Sequence, residues 1–232
     1  MMDVYGGYDP RDIPTYPIFE ASRYLRIPVG TLRSWLLGRS YQVKGIKKFS
    51  KPLIELPNPS IKQLSFTNLV EAHVLRVMRL EYQIAFSKVR TALDFVERDF
   101  DLPHPLVRAE FQTDGVNLFL DSGMLINASQ AGQFAIRQTL ENYLQRIELD
   151  EAGLAVKLFP LTRLREEEDP KAVVIDPRIS FGRPVLVGTG IPTFILAERY
   201  KAGESIDELV EDYGCNRLQI EEAIRCELPL AA

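Results

Sequence analysis

The chain has 232 residues, 46% hydrophobic and 26% charged with a net charge of −4, a composition suited to a folded chain long enough for two domains. No apolar run approaches the roughly 20 residues that span a bilayer, and the N-terminus is not a basic, apolar signal sequence, so a cytoplasmic location is expected. Two cysteines, Cys215 and Cys226, without CxxC spacing, and two distant histidines, His73 and His104, exclude a disulfide framework and a zinc-ligand cluster; both thiols are expected reduced and partly buried.

Residues 1–15 mix tyrosine, glycine and proline without periodicity and read as a flexible arm. From Phe19 to Leu37 the pattern is helix, tight turn, helix. Ala21, Tyr24 and Leu25 share a face of the first helix, and Pro28 disfavours helical geometry at Ile27. A second helix starting at Pro28 would bury Val29, Leu32, Trp35 and Leu36, leaving Thr31, Arg33 and Ser34 outward as candidate contacts to phosphates or base edges. Such helix pairs also occur in folds that never touch DNA, so charge has to decide. Between Arg23 and Lys62 there are nine basic residues and one acid, Glu55; nine less one leaves +8, the footprint of a polyanion-binding segment. Residues 41–48 and 51–56 read as two strands of a wing around a basic turn. Arg39, Lys44, Lys47 and Lys48 are its candidate phosphate contacts.

Glu20-Ala21, Tyr24-Leu25, Ile27, Thr31-Leu32-Arg33 and Trp35 resemble the N-terminal winged helix-turn-helix of MerR-like regulators, with Lys51-Pro52-Leu53-Ile54 as the returning wing strand and Ser65 as the next N-cap. Arg26 departs from that pattern, standing where the family has glycine: either an arginine takes a strained turn conformation or the turn differs by one residue. The resemblance implies a symmetric dimer on operator DNA, with the second helix in the major groove, Arg33 as the leading base or phosphate contact and the wing on the backbone.

Pro57-Asn-Pro-Ser60 punctuates the chain before a helix over residues 66–80, in which His73 reads as a satisfied histidine, and an amphipathic helix over residues 87–100 follows. Two helices after such a head commonly make the dimer contact in MerR-like proteins. Thr113-Asp-Gly115 and Asp150-Glu-Ala-Gly153 signal two hairpins, and Phe134, Ile136, Leu140, Tyr143 and Leu144 give a helix between them. This segment reads as a small sheet with a packed helix, used for assembly, and nothing in it combines acid, base and nucleophile as an enzyme requires.

Residues 162–171 read as an exposed charged linker. From Ile147 onward seventeen acids face ten bases, a difference of −7, which suits a basic protein partner better than DNA. In the stretch from Val173 to Thr193 two short apolar strands are joined by glycine turns. Three helices follow, over residues 193–201, 205–213 and 217–226, with Ser205 and Glu208 as a capping box and Gly203 and Gly214 at C-caps. The glycines lack the lysine of a phosphate-binding loop, and no cofactor or metal is expected.

This stretch, with Gly182-Arg-Pro-Val185, Gly188-Thr-Gly-Ile-Pro192 and Ala202-Gly-Glu-Ser-Ile206, is similar to the domain-of-unknown-function 433 family. Members of that family resemble VapB-type antitoxins, which pair with PIN-like ribonuclease toxins. The resemblance implies a non-enzymatic antitoxin that inhibits a nuclease and represses its own operon, as a homodimer or in a higher hetero-oligomer with the toxin. It makes Arg183, Thr189 and Arg199 candidate partner contacts, with a turn-stabilising role as the alternative for Arg183. Deleting everything after Lys171 is then expected to abolish neutralisation and spare DNA binding. The competing reading is a one-component MerR-like regulator with a small-molecule pocket in the assembly segment. The sequence thus predicts an α+β, mostly helical chain. Its parts are an arm at 1–15, a winged helix-turn-helix with following helices at 16–104, an α/β assembly segment at 105–165, and a trihelical domain with a short β leader at 172–232.

Overall fold

A computed structural model describes residues 5–100, 104–108, 130–163 and 169–229 and is α+β. Its two compact units are not contiguous in sequence: one holds Met1–Arg33, Leu56–Phe66 and Lys157–Ala232, the other Ser34–Glu55 and Thr67–Val156.

In the first unit, residues 5–15, expected as a flexible arm, make hydrogen bonds to sequence-distant parts of the unit. The Tyr5 hydroxyl donates to the Pro177 carbonyl at 3.0 Å, and the Thr15 amide donates to the Leu64 carbonyl at 2.9 Å. That contact leads into β1 (Tyr16–Pro17), antiparallel to β4 (Gln63–Leu64). Helix α1 (Ile18–Tyr24) ends in a turn where the Ile27 amide donates to the Ser22 carbonyl and the Ser22 hydroxyl donates to the Ile27 carbonyl. This turn holds Arg26 at φ 54°. A non-glycine residue in the left-handed region costs about 1–2 kcal/mol. The Arg26 guanidinium offsets it by donating to the carbonyls of Leu161, Thr162, Arg225 and Leu228. The last two close α8 (Arg217–Glu227), where orphan carbonyls and the helix dipole favour a cation. A glycine could take this backbone but could not make these contacts.

The β leader pairs β7 (Val173–Val174) with β8 (Val185–Leu186), and Leu158 of β6 (Ala155–Leu158) bridges to Ile175. Helices α6 (Thr193–Lys201), α7 (Ile206–Tyr213) and α8 follow, burying Leu196, Leu209, Ile220 and Ala223. Ser205 and Glu208 form the expected capping box, Gly214 is the left-handed C-cap of α7, and Asn216 with Gln219 makes a second box at α8. Of the expected exposed linker, Thr162 and Asp169 are buried while Lys171 is exposed. The Thr162 amide donates to the Asp169 carboxylate at 2.9 Å, and its hydroxyl, whose one proton is shared between Asp169 and Glu222, lies 2.7 Å from that carboxylate; residues 164–168 lie outside the described residues. Because α1 and α8 belong to one unit, deletion after Lys171 removes part of the core around α1.

Helix α2 (Val29–Leu37) runs across the division between the units. Leu32, Trp35 and Leu36 are buried as expected, but Val29 is 38% exposed. A helical side chain covers the turn N-terminal to its own Cα, and at the first residue there is no such turn to cover.

In the second unit, β2 (Arg39–Val43) pairs with β3 (Ile46–Ser50) around Lys44 and Gly45, both at positive φ as in a type I′ turn. The hairpin therefore closes earlier than predicted. Residues 51–56 are not its returning strand: the Leu53 and Ile54 amides donate to the Trp35 carbonyl instead. Gly38 (φ 71°) connects α2 to β2, and a Cβ there would lie 2.4 Å from the Ser50 carbonyl oxygen. Helix α3 (Phe66–Arg76) passes into a π-helical turn, Val77–Glu81, before α4 (Phe86–Phe100). Helix α5 (Gln130–Leu144) and the hairpin of β5 (Ile147–Leu149) with β6 fall where expected, with the Asp150 carboxylate accepting the Ala152 and Leu154 amides. Phe134 of the expected apolar stripe is 67% exposed. Residues 109–120 of the other expected hairpin lie outside the described residues. His73 is a buried core residue, its Nε2 3.1 Å from the Tyr143 carbonyl oxygen and its ring tilted against the Tyr143 ring.

Candidate nucleic-acid and partner-binding surfaces

Of the residues expected to meet nucleic acid, Arg33 is exposed on α2, with Thr31 and Ser34 half-buried on either side. Arg39, Lys44, Lys47 and Lys48 are exposed on the hairpin, whose side chains are solvated on both faces. A two-stranded ribbon with no buried face contributes little to stability by itself. Its register sorts the charges. Tyr41 is opposite Lys48 and Gln42 opposite Lys47, so Arg39 and Lys48 share one face with Tyr41, Val43 and Ile46, while Lys47 lies on the other with Phe49. The lysines are thus not one cluster at a turn: Lys44 is at the tip and the other two are back to back.

Two further arginines, missed in the sequence, join Arg39. The guanidinium carbons of Arg39, Arg79 and Arg90 lie 5.8, 5.8 and 6.0 Å from the centroid of the buried Phe86 ring. Arg79 comes from the π-helical turn and donates to the Ile84 carbonyl; Arg90 comes from α4 and donates to the Lys51 carbonyl at 3.1 Å. Burial, with the positive charge of Arg39 adding to it, holds the Arg79 pKa below the usual arginine value. No spacing rule links residues 39, 79 and 90, so the sequence carried no signal for the set.

In the same unit a cavity of about 220 Å³ is bordered by Glu55, Glu71, Asp94, Glu97 and His104 together with Leu53 and Leu75. Within it His104 Nδ1 is 2.8 Å from Glu71, whose other carboxylate oxygen accepts from the Asn68 amide at 3.0 Å. Among the described residues no group of three or more His, Cys, Asp or Glu side chains is placed to hold a metal ion.

In the unit with the C-terminal helices the three candidate partner contacts differ in availability. Arg199 is engaged by Glu204 and Asp212 and lies over the Tyr213 ring. The Thr189 hydroxyl donates to the Leu186 carbonyl at 3.0 Å and accepts the Ile191 amide at 3.0 Å, bracing the glycine turn. Arg183 is exposed, 5.0 Å over the Phe194 ring, beside Phe181, which is 69% exposed. Ser180, Phe181 and Gly182 all have positive φ. Two non-glycine residues in succession hold that strain, a feature that clusters at functional surfaces.

Beneath this surface a buried charge network ties the unit together. Glu222, fully buried, accepts from Arg163 at 2.8 and 2.5 Å and pairs with Arg225 at 2.5 Å; the Thr162 hydroxyl is also in contact with it. Burial pushes the Glu222 carboxyl up, but the hydrogen bonds from Arg163 and Thr162 and the charge of Arg225 outweigh it, leaving its pKa below the usual range. Glu227 pairs with Arg23 of α1 at 2.6 Å and accepts from the Thr193 hydroxyl at 2.6 Å. Both cysteines are free and buried, as expected, and burial pushes the Cys226 thiol up to about 12.

Comparison with known proteins adds the following. Residues 173–225 match the family described as "Protein of unknown function (DUF433)". A crystal structure of Rv2018 from Mycobacterium tuberculosis superposes with a TM-score of 0.66 at 24% identity, covering 92% of this chain and 98% of that one, and so supports the fold. "Uncharacterized protein Rv2308" from the same organism is 25% identical, covering 92% of this chain and 90% of its own. Over 92% of its length, and 93% of the relative's, the chain is similar at 29% identity to a Mycobacterium tuberculosis protein named "Putative antitoxin VapB45".

Proposed function

We propose that the chain is the antitoxin of a type II toxin–antitoxin pair, binding and inhibiting a PIN-like ribonuclease toxin and repressing its own operon through operator DNA. The observation that carries this reading is the near full-length similarity to "Putative antitoxin VapB45", with the match of residues 173–225 inside it. The DNA-binding half is supported by the order α1, turn, α2, hairpin and by the exposed Arg33 and lysines, which suit a MerR-like winged helix-turn-helix acting as a dimer. In this reading α2 enters the major groove and the hairpin meets the backbone. The partner-binding half is assigned to the surface of Phe181, Arg183 and Phe194. A free arginine there can compete with a metal ion for the carboxylates of a nuclease site, whereas Arg199 is already held by its own acids.

Co-expression with the adjacent reading frame tests this. The neighbour is expected to arrest growth alone, to be neutralised by this chain and to copurify with it stoichiometrically. The pair Phe181→Asp and Arg183→Glu should abolish copurification while operator binding persists, and Arg33→Ala should weaken operator binding. A harmless neighbour that does not bind would sink the antitoxin assignment and favour a one-component regulator.

A further inference from the structure

We infer that Arg39, Arg79 and Arg90, gathered around the Phe86 ring, form a binding site for a phosphate group, and that its source is the backbone of bound nucleic acid; the assignment of the source rests on the DNA-binding reading above. Four observations converge on the site. Three guanidiniums from three separate elements approach one aromatic ring within about 6 Å. None of them forms an ion pair with a described carboxylate. The nearest acid in sequence to Arg79, Glu81 of the same π-helical turn, is bound by Arg76 at 3.1 Å and by the Tyr143 hydroxyl at 3.3 Å, while Asp94 and Glu97 on α4 are not within ion-pair distance of Arg90. The Nε atoms of Arg79 and Arg90 are shut off from solvent with no hydrogen-bond acceptor. Finally, Arg79 sits in a π-helical turn, an irregularity that is frequent at functional sites.

Physically, like charges converging without a counter-ion repel one another, and shielded donors without acceptors are destabilising. The Phe86 ring within about 6 Å of all three guanidiniums relieves part of the repulsion, and an anion whose oxygens accept from the remaining Nη donors relieves more of it. A phosphate fits the donor set. Each guanidinium has five N–H donors, of which the carbonyls of Ile84 and Lys51 take one from Arg79 and one from Arg90. The hairpin register places Lys48 on the same face as Arg39, so the site continues along that face of the wing.

The test uses the full chain in two arms. In the first, binding to duplex DNA from its own upstream region is measured against salt for the wild type, Arg79→Gln, Arg90→Gln and Arg90→Lys. Each Gln variant should flatten the slope of log K against log salt by about one, equally for operator and mixed-sequence duplex, and Arg90→Lys should keep it. In the second arm, inorganic phosphate is titrated while the arginine Nε–H resonances are followed by NMR. Binding with unchanged slopes in both Gln variants overturns the inference and leaves the DNA-binding reading intact. If the wild type binds no duplex, that reading fails. The phosphate arm then decides: saturable shifts of the Arg79 and Arg90 resonances support a free-phosphate site, and none overturns it. Should Arg79→Gln fail to fold, Arg90→Gln and Arg39→Gln carry the same test.

Discussion

In the unit holding the C-terminal helices, Arg23 ends on Glu227, Arg163 and Arg225 end on Glu222, and Arg26 ends on four carbonyls. In the other unit Arg39, Arg79 and Arg90 surround Phe86 and meet no described carboxylate. Both are arginine clusters, but in the first the charge is consumed inside the fold and in the second it is left available. The +8 of residues 23–62 therefore overstates the charge facing a polyanion, because Arg23 and Arg26 are internal fasteners. What remains of it is carried by Arg33, Arg39 and the exposed Lys44, Lys47, Lys48, Lys51 and Lys62, to which the Phe86 site adds Arg79 and Arg90 from outside that stretch. Charge counts locate a polyanion surface only after the paired members are removed.

The strongest way to break this comparison is Glu222→Ala. If the first cluster is structural, leaving Arg163 and Arg225 beside an empty buried position costs about 3 kcal/mol, the lower end for a broken buried pair because both arginines remain partly solvated. Urea unfolding measures this. A loss below about 0.5 kcal/mol, the scale of an ordinary surface substitution, would place the network among dispensable pairs.

Arg26 gives the next effect and separates two contributions. Arg26→Ala loses the carbonyl contacts and keeps the left-handed backbone, for a cost of about 2 kcal/mol. Arg26→Gly loses the same contacts but relieves the backbone, and should be about 1 kcal/mol more stable than Arg26→Ala. Equal stabilities in thermal or urea unfolding would mean that the strain at φ 54° is immaterial.

His73 probes whether cationic surroundings in the second unit leave a mark on pH dependence. Burial first, then the charges of Arg146 and Arg76, hold its pKa well below the usual histidine value. The unfolded chain thus binds a proton below pH 6.5 that the folded chain refuses, so this contribution is present above that pH and is lost as pH falls. Between pH 7.5 and 5.5 the wild type should lose about 1.4 kcal/mol more than His73→Gln, by urea unfolding at each pH. Parallel losses in both proteins would show that His73 charges freely in the fold.

Local signals were the legible part of the fold. Ser205 with Glu208, Gly214 and Asp150-Glu-Ala-Gly153 act within a few residues, and each element they mark falls where read. Helices α1 and α2 were legible too, and the anomaly at Arg26 was visible as a departure from glycine. Its explanation was not, because the carbonyls that compensate it lie 135 to 202 residues away. For the same reason the grouping of residues 1–33 with 157–232 could not be read. The β2–β3 hairpin was misregistered because Lys44-Gly45 is a weaker turn signal than Asn-Gly, and a hairpin solvated on both faces has no alternation to fix its pairing. Of the candidate site, Arg33, Arg39 and the lysines were visible as charge, whereas Arg79 and Arg90 acquire meaning only when the fold brings them to Phe86.

The smallest expected effect turns on that register. Lys47 and Lys48 are adjacent, equally charged and both exposed, so by sequence they are interchangeable phosphate contacts. The pairing of Tyr41 with Lys48 and Gln42 with Lys47 puts them on opposite faces, and Lys48 alone shares the face of Arg39. If nucleic acid lies along the Phe86 site, Lys48→Ala should flatten the salt slope of duplex binding by about one while Lys47→Ala leaves it unchanged. Neither should alter stability by more than about 0.5 kcal/mol, since both side chains are solvated. The reverse result, a slope change for Lys47→Ala alone, would turn the hairpin over: the backbone would then follow the face of Phe49, and the arginines around Phe86 would lie on the side away from the nucleic acid.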